Sequence, residues 1–406
     1  MEFPVLHSTT VGLDIHHKTI VVCVMRTDEH GETSCEFKEF STFKRDLRKM
    51  ALWIADINPG CIVMESTGIY WKSPYAALEK AGVKGVFVAN ARHVKNVPGR
   101  KTDINDAQWL AMLARSGLLE RRSFIPPEKI RSARLLSRRH QKLIDMRSAE
   151  KNRLHKTLAD AGLRLSAVLS DLHGTSASRM IEGLLADEPI DKLLEYAHPR
   201  LKATREELVD ALQADFLPGH KATARQILDH IRVLTDQLSE LEQLMREELA
   251  EHQALIQLLV TIPGIDHTAA NRIAAEIGAD MSVFGNAQRL CSWAGVSPAL
   301  DNSGERRRSR KLRRGNPWLK RLLVECAHAA SRSDCQFKSK YQTLSIRRGK
   351  KKAVIAICRK MLTIMFVMLS TGEIYRDPAV DYNELRARKN APRWIKELQK
   401  YNLMPA

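Results

Sequence analysis

No Cys-x-x-Cys pair occurs in the chain. Its seven cysteines, at 23, 35, 61, 291, 326, 335 and 358, are scattered, which argues against a zinc site or a dithiol redox motif. Four of them (Cys23, Cys61, Cys326 and Cys358) lie in apolar segments, where buried free thiols are ordinary, so a reducing, cytoplasmic setting is expected. Met1–Thr10 lacks a charged start followed by an apolar stretch, and no signal peptide is expected. The longest apolar region, Ala353–Leu369, is interrupted by Arg359 and Lys360 and reads as a buried helix rather than a bilayer span. No repeat or low-complexity tract stands out, nor does a long basic amphipathic helix with an aromatic-rich face. Acidic charge is in deficit: 47 Asp and Glu stand against 65 Lys and Arg, a net +18 over 406 residues. Such an excess implies a polyanionic partner, because Lys and Arg neutralise phosphates and release condensed counterions. With no membrane feature to claim it, nucleic acid is the expected partner. An apolar fraction of 44% supports sizeable cores, and the length suggests two or three domains.

What is present falls into segments. Residues 1–125 read as an α/β unit. Val11–Ile15, Thr19–Met25, Ser34–Phe40, Cys61–Met64 and Val83–Val88 are expected strands, and Phe43–Ile57, Gly68–Ala81 and Asp106–Ser116 expected helices. The order βββαβαβα is that of a ribonuclease H-like fold. Residues 126–251 read as a helical connector. Within it Arg131–Leu158 is a long polar helix, breaks fall at Gly174, Pro189, Pro199 and Pro218, and Ile227, Ile231, Leu234, Leu238, Leu241 and Met245 form an a/d seam. That seam could serve a coiled-coil dimer or a helical hairpin within one chain. Residues 252–375 read as helical, beginning with helix, Pro263-Gly264 turn and helix. This helix-hairpin-helix pattern could present backbone N–H groups around Gly264 to a DNA phosphate, or be an ordinary helical hairpin. Residues 376–406 read as a basic, polar tail.

Two carboxylates stand three residues apart in Lys101-Thr102-Asp103-Ile104-Asn105-Asp106, so on a helix they share a face. Upstream, Asp14 interrupts the apolar run Val11-Gly12-Leu13-Asp14-Ile15, and Glu65 closes Cys61-Ile62-Val63-Met64-Glu65. On a ribonuclease H-like fold the first strand passes beside the fourth, so these acids can converge as an oxygen cage for divalent metal. Each has an ordinary alternative: Asp103 as a helix cap, Asp106 as a first-turn charge, Glu65 as a solvated strand end. An acid inside an apolar strand is harder to dismiss, because a buried unpaired carboxylate is costly. Near the other end, Ser303-Gly304 lies at the tip of a small-residue loop. The loop leads into a basic run containing Arg306, Arg307, Arg308, Arg310, Lys311, Arg313 and Arg314. A hydroxyl beside arginines could attack a phosphate, although such runs are usually solvated faces or phosphate clamps.

The Glu65-Ser66-Thr67-Gly68 and Thr102-Asp103-x-x-Asp106-Ala107 signatures, the Ile262-Pro263-Gly264-Ile265 turn, and Ala294-Gly295-x-x-Pro298 followed by Ser303-Gly304 and Arg314-Gly315-Asn316 together resemble the insertion-sequence-110 family of transposases, the DEDD recombinases. The resemblance runs in order over roughly residues 11 to 330. It implies an N-terminal RuvC-like domain, a coiled-coil connector and a C-terminal transposase domain. It implies that Asp14, Glu65, Asp103 and Asp106 bind Mg2+, with Mn2+ as an alternative, and that Ser303 is the nucleophile that joins covalently to cleaved DNA. It implies donor and target DNA, a structured noncoding bridge RNA that guides both, and a homo-oligomer in which dimers assemble to a tetramer. One departure is Asn302, where many relatives carry a second serine. Two rivals need less of the chain. A Holliday-junction resolvase-like metal nuclease would use only the four acids, and a nucleic-acid-binding protein with an inactive site would use none.

Overall fold

The structure is a computed structural model, and it describes residues 5–65, 68–89, 94, 105–119, 123–298, 302–303, 306–307, 312, 314–401 and 403. The chain divides into two compact units, Met1–Ile125 and Pro126–Ala406.

The first unit is built on one five-stranded sheet. Strands β1 (Thr9–Ile15), β2 (Thr19–Thr27), β3 (Thr33–Ser41), β4 (Cys61–Glu65) and β5 (Val86–Ala89) lie in the order β3-β2-β1-β4-β5. β1 is antiparallel to β2 and parallel to β4, and β4 is parallel to β5. This is the ribonuclease H-like arrangement that the element order suggests. Helices α1 (Lys44–Ile57) and α2 (Lys72–Lys80) cover one face of the sheet, burying Leu47, Met50, Ile54 and Leu78 against Val11, Leu13, Val22, Ile62 and Met64. Helix α3 (Asp106–Arg115) covers the other, where Trp109, Leu110 and Leu113 pack on Cys61, Val63 and Phe87. With helices on both faces, β1 and β4 read as continuous apolar runs rather than alternating ones. That is why the one acid in β1 stands out in the sequence.

The second unit is helical. Its backbone is an antiparallel pair, α4 (Glu128–Asp160) and α5 (Pro218–Glu248). Ser132 bonds to Glu248 at one end of the pair and His220 meets Asp160 at the other. The apolar seam is used inside the chain: Leu234 and Leu238 pack on Leu143. Between the two helices, short helices at Thr175–Leu185, Ile190–Leu194 and Arg205–Leu212 build a small core of their own around Met180, Ile181, Leu193 and Leu208. Three of the four expected breaks mark helix starts here, since Gly174 and Pro189 are N-caps and Pro218 opens α5, while Pro199 lies in the turn between two short helices. After the pair come α6 (Gln253–Val260), α7 (His267–Ile277), α8 (Ala287–Trp293), α9 (Pro317–Ala330), α10 (Gln336–Arg348) and α11 (Lys350–Thr371). α11 is the one helix among the described residues long and apolar enough to cross a membrane. Its Ala353, Ile357, Cys358, Met361, Leu362 and Met365 are buried within the bundle, as the buried-helix reading expects. The basic tail is more ordered than the sequence suggests. It forms α12 (Tyr382–Lys400), capped by Asp381 and braced by the Glu384–Arg388 and Arg393–Glu397 pairs, with Pro392 inside it.

Candidate functional site

The acids of the first unit are gathered by strand register. Thr10, Gly12 and Asp14 face one side of β1, and Cys61, Val63 and Glu65 face the same side of β4, because side chains alternate. The parallel pairing runs Thr10 to Cys61 and Gly12 to Val63, so its next same-face step sets Asp14 beside Glu65. The covering helix completes the group. α3 begins at Asp106, after Asn105 caps it by accepting from the Ala107 N–H at 2.9 Å. The capping role weighed for Asp103 therefore belongs to Asn105, and Asp103 itself lies outside the described residues.

Gly12 is what lets α3 come so close. A Cβ there would lie 2.6 Å from the Ala111 backbone N and closer still to the Ala107 carbonyl oxygen. Glycine inside a strand often marks such an approach. Thr10 ties the same turn of helix, donating its hydroxyl to the Ala111 carbonyl at 3.0 Å. Strand and helix are thus locked where Asp14 and Asp106 must meet. The sequence reading missed both locking residues, although a glycine in an apolar strand was the available signal.

The electrostatics agree with the geometry. The Asp14 side chain is 22% exposed. Burial raises its carboxyl above the ordinary carboxylate value. His16 opposes the rise by its charge and its hydrogen bond, whereas the like charges of Asp106 and Glu65 add to it. His16 Nε2 stands 3.0 Å from Asp14 Oδ2, a partner the sequence reading did not single out. Two residues past Asp14, it was signalled only by strand periodicity. Among the described residues no three His, Cys, Asp or Glu side chains form a ready-made metal cluster. The donor set nonetheless fits a divalent cation: it is all carboxylate oxygen, as hard ions prefer, and a half-buried acid facing two like charges is stabilised by positive charge between them.

The serine of the second unit lies on a strand pair. β6 (Asn302–Ser303) is antiparallel to β7 (Arg306–Arg307), with Ser303 opposite Arg306. Pro298 and Leu312 bridge below it. At the base, Asn316 N–H donates to the Trp293 carbonyl at 3.0 Å. A Cβ on Gly315 would fall 2.5 Å from Gly295 Cα and 2.6 Å from the Ala294 carbonyl carbon. The two ends of the segment are therefore pinched together, and the paired glycines of Ala294-Gly295 and Arg314-Gly315 have a packing reason. Arg314 is exposed. Arg308, Arg310, Lys311 and Arg313 lie outside the described residues. Gly264 follows α6 with φ +85° and packs against α9, where a Cβ would meet the Ala330 N at 2.5 Å and the Cys326 carbonyl at 2.6 Å. That side of the turn is occupied by protein.

Comparisons with known proteins bear on both regions. A family model for DEDD transposases of IS110 type, described as "Transposase", matches residues 11–162. A second, described as "Transposase IS116/IS110/IS902 family", matches residues 256–342. The "Transposase for insertion sequence element IS1111A" of Coxiella burnetii is 25% identical over 382 residues, covering 90% of this chain and 91% of that protein. The IS116 44.8 kDa protein of Streptomyces clavuligerus is 23% identical, covering 90% and 95%. Among solved structures, that of Thermus thermophilus RuvC matches with 14% identity and a TM-score of 0.21, over 27% of this chain and 96% of that one.

Proposed function

We propose, for a chain that belongs to the IS110 family of insertion-sequence DNA transposases, that Asp14, Glu65, Asp103 and Asp106 form a divalent-metal site and that Ser303 is the nucleophile of strand cleavage. The register that sets Asp14 beside Glu65, under the first turn of the helix that opens with Asp106, carries this reading. Mg2+ is the proposed ion and Mn2+ its substitute. When bound there, such an ion would polarise the scissile phosphate and stabilise charge on the departing oxygen.

The chain's own residues do the rest. Ser303 Oγ forms a bond to phosphorus as one P–O bond of the DNA strand breaks. The departing oxygen keeps that electron pair and takes a proton from water, while the serine proton passes to solvent. The phosphodiester becomes a phosphoserine diester, so the bond count is conserved. An incoming strand's hydroxyl can then reverse the step and free the serine. Arg306, Arg307, Arg308, Arg310, Lys311, Arg313 and Arg314 follow Ser303 closely in sequence and are proposed to contact that phosphate, whose oxygens suit guanidinium and ammonium donors. The turn at Gly264, read as a helix-hairpin-helix, would take a backbone phosphate on its solvent side. Partner choice is assigned to base pairing between a structured bridge RNA and donor and target DNA, with the protein reading backbone and shape. The chain would act as a homo-oligomer, dimers joining as a tetramer.

The test is the covalent adduct. With metal, guide RNA and matching DNA, the native chain is expected to form a protein–DNA adduct that Ser303→Ala abolishes while DNA and RNA binding persist. An undiminished adduct in that variant excludes Ser303. Metal-dependent cleavage with no adduct in the native chain supports the hydrolytic nuclease instead.

A further inference from the structure

We infer that Glu276 is a positioning residue for the Ser303 strand pair, acting through Asn316; its catalytic consequence rests on the reading of Ser303 above. Glu276 is the penultimate residue of α7 and only 1% exposed. Both facts oppose a carboxylate. Burial costs it hydration, and the negative end of the helix dipole repels it. Two arginines of α4 offset this. Arg138 grips Glu276 with two hydrogen bonds, at 2.8 and 3.0 Å. Arg134 lies 3.5 Å from its Oε2 and donates to the Ala275 and Glu276 carbonyls that end the helix, at 3.1 and 2.6 Å.

The remaining contact links Glu276 to the serine segment. Asn316 Nδ2 donates to Glu276 Oε2 at 2.6 Å. Asn316 closes the base of the serine segment through its backbone bond to Trp293, and it starts α9 by accepting from the Trp318 and Leu319 N–H groups at 3.0 and 3.2 Å. Each polar group of that side chain is thus committed: the oxygen to α9, the nitrogen to Glu276. A Glu276–Asn316 tie fixes the point at which the chain returns from β7, and so fixes the base from which Ser303 is presented. The arginines hold Glu276 and Glu276 holds Asn316. An apolar residue at 276 would lose that tie and would also leave Arg134 and Arg138 without their carboxylate.

The probe is Asn316→Ser. Serine keeps an N-cap oxygen for α9 but is too short to reach Glu276. Two measurements on the full-length protein decide the matter. The first is hydrogen exchange, which does not depend on what Ser303 does. Amides of residues 302–307 are expected to exchange at least tenfold faster in the variant, with those of α7 and α11 unchanged. The second is adduct formation at saturating DNA, expected to slow at least tenfold while DNA affinity stays within twofold. Glu276→Gln, which keeps an acceptor for Asn316, is expected to retain more of the native rate than Glu276→Ala. Unchanged exchange at 302–307 overturns the inference, and so does exchange that rises equally throughout α7, α9 and α11, since that marks general loosening. A native chain that forms no adduct although exchange responds as expected removes the serine reading and leaves the tie standing.

Discussion

Gly12→Ala tests the packing that assembles the acidic site. The added methyl carbon would sit 2.6 Å from the Ala111 nitrogen, where ordinary contact begins at 3.4 Å, and nearer still to the Ala107 carbonyl. Both obstacles are helix backbone, so no flexible side chain can swing away. α3 must retreat from β1 by about 1 Å, breaking the Thr10–Ala111 hydrogen bond or straining Trp109, Leu110 and Leu113 against the sheet. Overpacking of this kind costs about 1–3 kcal/mol, a fall in Tm of roughly 4–12 °C for a unit of this size. The functional loss should exceed the loss of stability. Displacing Asp106 from Asp14 by about 1 Å is enough to cost on the order of 100-fold in rate. Gly60→Ala is the control, because the nearest atoms there belong to the His7 side chain, at 3.0 Å and beyond. Thermal unfolding of both variants, with metal-dependent cleavage measured well below Tm, makes the comparison. If Gly12→Ala matches the native chain in Tm and rate, α3 does not rest on Gly12 and the proposed route by which Asp106 reaches Asp14 is wrong.

Two further outcomes concern the second unit. Gly219 lies in the first turn of α5, exposed, with nothing near its absent side chain. Gly219→Ala should therefore raise stability by about 0.4–1 kcal/mol through reduced unfolded-chain entropy, read by denaturant unfolding, and a loss of stability would contradict the placement. His140 bonds to Glu242 across the α4–α5 pair at 2.9 Å. Burial is the main cause holding it below its ordinary value, against the pull of Glu242. A depressed histidine favours the folded state while neutral, so that contribution is present above about pH 6.5 and is lost as pH falls. His140→Leu should flatten the acid limb of stability against pH by up to about 1.4 kcal/mol per pH unit; an unchanged limb would show that His140 is not the group being titrated.

Legibility in the sequence differed by region for physical reasons. The sheet could be read because β1, β2 and β4 carry dense β-branched apolar runs bounded by turns. Asp14 and Glu65 could be found because an acid is rare in such a run. The helix start at Asp106 was clear, yet the cap was not, since Asp103 and Asn105 are both competent and only the fold selects Asn105. Gly12 and Thr10 escaped because their value lies in contacts with α3, about a hundred residues away in sequence. The α5 seam was visible as a period, but a period cannot say whether Leu143 of the same chain or a second chain fills it. Helix α12 was obscured by its polarity and its internal proline, and the bonds of Asn383 to Gln342 and Thr343 of α10 that help hold it are long-range contacts no local pattern shows. Glu276 was hidden for the opposite reason: among Ala274, Ala275 and Ile277 it looks like an ordinary helix residue, and its partners Arg138 and Asn316 lie far off in both directions.

The proposed metal site requires distant acids to converge on one cation. A crystal of the full-length protein soaked in Mn2+ and measured for anomalous scattering tests it most directly. The expected result is a peak bounded by carboxylate oxygens of Asp14, Glu65, Asp103 and Asp106, lost in Asp14→Asn. Mn2+ bound only elsewhere, or a peak at that position that survives Asp14→Asn, would show that these acids do not share the ion.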